Sequence, residues 1–256
     1  MAHLHGYNDV RTQQTISYSQ YKEDLLLEEY FCNKDTGTCV EVGCYDGVTY
    51  STTYLFEKIG WKCVLIEPNP LLHEKIESIR KSKLYKCAAS NQSGFATLHI
   101  AEGIEELSTL SSDVNQMQRV QRQSQRVQSI NVETCTLDEI LLEEEISTVD
   151  FITIDVEGFE LNVLEGFSLE KWRPKIIILE DNTNFRDETN CEYLKQYGYT
   201  RFRRTGCNDW YSNKGDTSLR KLLPLLNLHL IRLRFRCVYW LARYLKRNSA
   251  LKERMK

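Results

Sequence analysis

The chain has 256 residues, 41% of them hydrophobic and 27% charged, with a formal net charge of −3. That apolar content excludes a disordered chain, 4 prolines and 12 glycines exclude a collagen-like one, and the length can bury a sizeable core in one large domain or two small ones. Nine cysteines, at 32, 39, 44, 63, 87, 135, 191, 207 and 237, are too sparse for a disulfide scaffold and include no CxxC pair, so zinc-ribbon and thioredoxin-like readings fail. The polar start shows no apolar stretch of the kind a secretory signal needs, and a reduced, cytoplasmic setting is expected.

Residues 1–16 are polar and read as a loose N-terminus. Tyr18, Tyr21 and Leu25 share one helical face, which predicts a helix over 17–31. The β-rich run TCVEVG at 38–43 predicts a first strand, followed by a helix over 50–59 that stops at Gly60. KCVLIE at 62–67 is a second apolar strand, and Asn69 and Pro70 supply the N-cap and first-turn proline of a helix carrying Leu72, Ile76 and Ile79 on one face. A third strand is predicted over 84–89. Residues 113–128 are rich in Gln, Arg and Ser. Val114, Met117, Val120 and Val127 could line a narrow apolar stripe there, but the polarity makes a solvated insertion over 105–130 the expectation. Regular patterning returns with TLDE at 136–139, a capping box that opens a helix to 142. A strand over 149–155, a helix over 158–164 ending at Gly166, a strand over 175–180, a helix over 188–197 ending at Gly198, and short strands over 199–203 and 208–211 complete a domain spanning 17–218.

Strands that alternate with helices and read as unbroken apolar runs predict an α/β fold with a mostly parallel sheet covered on both faces. Ligands of such sheets bind beyond the carboxyl ends of the strands, so chemistry is expected there. Gly43 and Gly47 let the backbone approach a ligand, but their G-x-x-x-G spacing is not that of a pyrophosphate cradle. Glu41 and Asp46 beside them would repel a phosphate and suit a cationic amine. Glu67 ends the second strand, where a carboxylate can accept from both hydroxyls of a ribose. Small residues from Ala88 to Asn91 follow the third strand and could border a flat base. Asp155, Glu157 and Glu160 follow the fourth, and Glu180, Asp181 and Asn182 follow the fifth. Singly, each acid reads as a solvated loop residue or a helix cap. Their coincidence predicts a nucleoside ligand that carries a positive group and no phosphate, and S-adenosylmethionine, with its ammonium, sulfonium and ribose diol, fits that description.

The runs TCVEVGCYDG (38–47), VLIEPNP (64–70), DFITIDVEGFE (150–160) and KIIILEDN (175–182) resemble the FkbM-type S-adenosylmethionine-dependent methyltransferases, a resemblance that covers roughly 17–211. It implies the class I methyltransferase fold, a Rossmann-like, seven-stranded, mostly parallel sheet in three α/β/α layers. It also implies O-methylation of a hydroxyl on a sugar, a glycolipid or a related natural product. In that family pattern Glu41, Gly43 and Gly47 line the methionine end of the cofactor, with Asp46 near its amine. Glu67 takes the ribose hydroxyls, Ala89 and Asn91 neighbour adenine, and Asp155 and Glu157 face the methyl group and the acceptor. Thr52 departs from the pattern, which has Asn at that place.

A general base must reach the acceptor hydroxyl, and crowded carboxylates raise one another's pKa, so Asp155 and Glu157, with Glu180 behind them, are the candidates. A second reading makes Asp155, Asp181 and Asn182 oxygen ligands of Mg2+, as in catechol-type O-methyltransferases, and ranks below metal-free chemistry. Different classes of function stay open: a binding module that keeps the fold without catalysis, or RNA ribose methylation, although the acidic core makes nucleic acid an unlikely partner. Residues 219–256 carry eleven Lys or Arg and one acid, Glu253. They read as a basic amphipathic helix for peripheral membrane or partner contact, its charges too frequent for a membrane span.

Overall fold

The computed structural model describes residues 16–32, 34–111, 114–124 and 126–213. The expected loose N-terminus, apart from Ile16, and the basic segment 219–256 lie outside the described residues. The helices are α1 (Glu23–Tyr30), α2 (Tyr54–Lys58), α3 (Pro70–Ile79), α4 (Val114–Gln123), α5 (Leu137–Glu143), α6 (Glu160–Glu165), α7 (Leu169–Trp172) and α8 (Thr189–Gln196). The strands are β1 (Thr38–Val42), β2 (Lys62–Ile66), β3 (Leu84–Tyr85), β4 (Ala88–Ala89), β5 (Gly94–Glu102), β6 (Arg126–Cys135), β7 (Phe151–Ile154), β8 (Ile176–Glu180), β9 (Tyr199–Thr205) and β10 (Asn208–Asn213). No helix among these residues is long and apolar enough to cross a membrane.

Seven strands form one sheet in the order β3-β2-β1-β7-β8-β10-β9. Pairings from β3 to β8 are parallel, and β10 runs antiparallel to both β8 and β9. This is the class I methyltransferase architecture. The apolar runs are unbroken because both faces are covered. Val40, Val42, Val64, Ile66, Ile152, Ile154, Ile177 and Leu179 face one core with side chains of α5, α6, α7 and α8. Cys39, Cys63, Leu65, Phe151, Ile176 and Ile178 face the other, against Leu27, Phe56, Leu72 and Ile76 of α1, α2 and α3.

Three expectations need correction. The strand predicted over 84–89 is two strands: Leu84–Tyr85 pairs with β2, whereas Ala88–Ala89 leaves the main sheet and pairs with β6. The segment expected to be a solvated insertion, 105–130, holds α4 and the first half of β6 among its described residues, and β6 completes a second sheet, β4-β6-β5, whose β5 and β6 pair antiparallel from Gly94↔Thr134 to Glu102↔Arg126. Its polarity reflects one solvated face, while Val120 of α4 is buried with Ala101 and Leu107. The first two helices are also shorter than their periodicity suggests. Asp24 draws in the Ser17 and Ser19 hydroxyls and the Tyr18 N–H, so the chain before α1 forms a polar turn. Residues 51–53 bond to Glu41 instead of extending α2.

At the centre of the sheet the ends of β1 and β7 come together at Gly43. A Cβ there would lie 1.9 Å from the Asp155 carbonyl oxygen, and the glycine has φ +79. Neither space nor conformation admits a side chain. Gly43→Ala is expected to cost about 3 kcal/mol or more of folding stability, from forced packing and left-handed backbone together, read as a lower urea midpoint.

Candidate active site

An open cleft with about 1030 Å³ of empty space, its mouth included, lies at the carboxyl ends of β1, β2 and β7. Gly43, Cys44 and Thr52 form its floor near β1, Glu67 and Pro68 follow β2, and Asp155 and Val156 follow β7. Ala88 and Ala89 line it from β4, and Leu98, Glu105, Glu106, Ser108 and Leu110 line it from the second sheet and the segment after it. Among its described lining residues there are five acids, Glu41, Glu67, Glu105, Glu106 and Asp155, and no Lys, Arg or His.

The buried carboxylate of Glu67 accepts from the Tyr45 N–H at 3.0 Å and the Asn69 N–H at 2.9 Å. Burial pushes its pKa up to about 7 against these bonds. Glu41 also lines the cleft, but its carboxylate is spent within the protein. It accepts from the Ser51 hydroxyl and the Thr52 N–H at 2.8 Å, from the Thr53 hydroxyl, and from Arg80 at 3.3 Å. The bond from residue 52 comes from the backbone, so Thr52 can stand where the family pattern has Asn without losing it.

Three residues expected at the cofactor do not line the cleft. Asp46 is capped by the N–H groups of Val48 and Thr49 at 2.9 and 2.7 Å, by the Thr49 hydroxyl, and by Lys75 at 2.9 Å. These bonds outweigh burial and hold its pKa below the usual value. It closes its own turn and is not placed to meet an amine. Gly47 packs against Arg80, and its carbonyl accepts from that guanidinium at 2.9 Å. Asn91 is exposed and donates to Glu165 at 3.0 Å, whereas Ala89 does line the cleft.

The three candidate bases do come together: one carboxylate oxygen from each of Asp155, Glu157 and Glu180 lies within 4.8 Å of the others. Asp155 lines the cleft and is exposed to it, so solvent screens it in part. Loss of solvation on its protein side, then the Glu180 and Glu157 charges, raises its pKa above the ordinary carboxylate value. Desolvation followed by the Glu160 charge raises Glu180 as well. Glu157 is buried and turned away from the cleft. Arg119 pairs with it, Gln116 donates to it at 3.1 Å and Asn182 at 3.4 Å, and burial still brings its pKa up to about 7. The set Asp155, Asp181 and Asn182 is not assembled as a metal centre. Asp181 accepts from Arg204 at 2.7 Å and from the N–H groups of Thr183 and Phe185, which hold its pKa low.

Gln116 and Arg119 belong to α4, whose Gln-, Arg- and Ser-rich sequence carries no local sign of a site. The apolar stripe through Val120 was the one signal that this stretch packs. Tyr45, inside the 38–47 run, also reaches the cleft, as do Gln20, Tyr50 and Asn208, which lie outside the quoted motifs.

Glu160, buried and bonded by the Gly158 N–H at 3.0 Å, likewise has its pKa raised by burial to about 7. Glu67, Glu157 and Glu160 thus hold a proton more tightly folded than unfolded, where 4.5 is the ordinary value. The folded state binds more protons at these three groups between those limits, so their contribution to stability falls as pH rises from about 4.5 to about 7. Urea unfolding at successive pH values should show this decline. Glu160→Gln should recover on the order of 1 to 3 kcal/mol at pH 8 and leave pH 4 stability nearly unchanged.

A model of the FkbM methyltransferase domain matches residues 41–201. No curated protein matches the chain significantly. Among solved structures, a precorrin-6y C5,15-methyltransferase of Geobacter metallireducens aligns at 10% identity and TM-score 0.41, over 80% of this chain and 94% of that one. A candidate RNA methyltransferase of Pyrococcus horikoshii aligns at 10% identity and TM-score 0.37, over 77% and 83%. The domain match covers more than half of the chain, from the Glu41 strand through the acids after β7 and β8, and the chain belongs to the FkbM methyltransferase family.

Proposed function

We propose that the protein is an S-adenosylmethionine-dependent O-methyltransferase acting on a hydroxyl of a sugar, glycolipid or related natural product. The observation that carries this reading is the acidic lining of the cleft: Glu67 and Asp155 after β2 and β7, Glu105 and Glu106 from the segment after β5, and no described cation among the lining residues. Such a site favours a cationic nucleoside over a phosphate-bearing one. The residues fit the group. Glu67 retains acceptor capacity beyond its two backbone bonds for a ribose diol. Gly43 leaves the floor open, and Ala88, Ala89, Leu98 and Leu110 offer an apolar surface to a base.

The bound cofactor supplies a methyl group activated on a sulfonium. Asp155 would take the acceptor hydroxyl's proton as the O–CH3 bond forms and the S–CH3 bond breaks, since it opens onto the cleft beside two further carboxylates. Glu157 and Glu180 surround it with negative charge and keep its proton affinity high. The cleft walls hold the two reactants in line, the largest service a protein can give to a displacement of this kind. The acidic cleft offers no described counter-charge to an RNA backbone, which disfavours ribose methylation. Three carboxylates gathered at Asp155 on the cleft favour catalysis over a binding module without it. The basic segment 219–256 remains a proposed peripheral contact with membrane or partner.

Calorimetry with S-adenosylmethionine should show one site per chain, and Glu67→Gln should weaken it by about tenfold or more through loss of a charged acceptor. Radiolabelled methyl transfer into glycan, lipid and RNA extracts should label glycan or lipid fractions and survive EDTA. Absence of cofactor binding ends the enzyme reading, and labelling confined to RNA ends the assignment of acceptor.

A further inference from the structure

The second sheet and α4 do more than decorate the domain, because their contacts converge on one residue of the loop after β7. The Glu157 carboxylate is gripped by Arg119 and Gln116 of α4, and its carbonyl accepts from the Thr109 hydroxyl at 2.8 Å. Gly158 sits against Ser111 and Gln116, with 3.7 Å between those side chains and a Cβ built on the glycine. Glu157 and Gly158 both have left-handed backbone, at φ 52 and φ 93. A non-glycine residue in that region is costly unless its surroundings hold it, and here the holding groups come from the inserted unit. The same unit lines the cleft through Glu105, Glu106, Ser108 and Leu110, a cleft that Asp155 also lines.

We propose that Arg119 is a positioning residue for methyl transfer: by clamping Glu157 it ties the inserted unit to the loop that carries Asp155, and so completes the acceptor side of the cleft. This rests on the methyltransferase reading above. Arg119 acts through Glu157, which does not itself line the cleft, while the cofactor-side residues Gly43, Glu67 and Ala89 belong to other elements. Loss of the clamp therefore loosens residues 155–160 and 105–111 together and impairs transfer more than cofactor binding. Lysine, which keeps the charge but not the planar fork, is a partial substitute.

The test compares full-length wild type, Arg119→Met, Arg119→Lys and the control Arg122→Met, an exposed residue of the same helix. In hydrogen–deuterium exchange, Arg119→Met should raise exchange of amides in 155–160 and 105–111 by about tenfold, with the main-sheet amides of β1 and β2 unchanged. Arg119→Lys should recover part of that protection, and Arg122→Met should match wild type. The S-adenosylmethionine affinity of Arg119→Met should stay within about threefold of wild type, while labelling of the extract that wild type methylates best falls about tenfold or more. Unchanged exchange in both segments, or cofactor affinity lost as far as transfer, overturns the proposal. If Arg119→Met does not fold, Glu157→Gln is read in the same exchange experiment with the same criteria. Wild type that binds no S-adenosylmethionine defeats the methyltransferase reading instead, and the exchange comparison still decides whether the clamp exists.

Discussion

The cleft depends on one buried cation. Arg80, at the C-terminal end of α3, has a side chain with no exposure to solvent, and its guanidinium reaches five partners. It donates to Glu41 at 3.3 Å, Glu57 at 3.1 Å, the Gly47 carbonyl at 2.9 Å, Ser51 at 3.3 Å and Thr53 at 3.0 Å. A buried guanidinium is tolerated only when its donors and its charge are both satisfied, and here two carboxylates and three neutral oxygens do so. The consequence is architectural. The loop from 43 to 53 is drawn down onto α3, and its inner edge becomes one wall of the cleft. Glu41 illustrates the exchange: its position at the cleft is that of a ligand contact, but its charge is consumed by the protein that builds the wall.

A division of labour among acids follows from which of them has such a partner. Glu41, Asp46 and Asp181 each have a cation and several donors, and their work is structural. Glu67 has backbone donors and no cation, and Asp155 has acids for neighbours. These two keep oxygen acceptors at the cleft that no cation of the described residues occupies, and both have raised proton affinity. Glu157 lies between the groups, buried beside Asp155 but bound to Arg119 from the inserted unit. The acidic site is thus a graded set of carboxylates ordered by their counter-charges.

The inserted unit shows how composition misleads at a short-range level. Gln, Arg and Ser between 113 and 128 are what a solvated loop would contain, and they are also what the outer face of a helix and a small sheet contains. Burial of Val120 and the long β5–β6 ladder require only a few apolar residues on one side. Arg119 and Gln116 belong to the polar majority and still reach the centre of the site, because α4 packs with them turned inward toward Glu157.

Much of the fold was legible from the chain alone. Unbroken apolar runs define β1, β2, β7 and β8, the capping box at Thr136 and the cap–proline pair at Asn69 open α5 and α3, and the glycines at 60, 166 and 198 mark helix ends. These are local signals, set by backbone sterics and by burial on both faces of a parallel sheet. Acids at strand ends were legible for the same reason, since topology sends those ends to one side of the sheet. Which acid meets ligand and which meets a counter-ion was decided only by tertiary structure. Arg80, Lys75, Arg204 and Arg119 lie 39, 29, 23 and 38 residues from the carboxylates they neutralise. An electrostatic pairing at such separation leaves no local pattern in the chain, because it depends on distance in space.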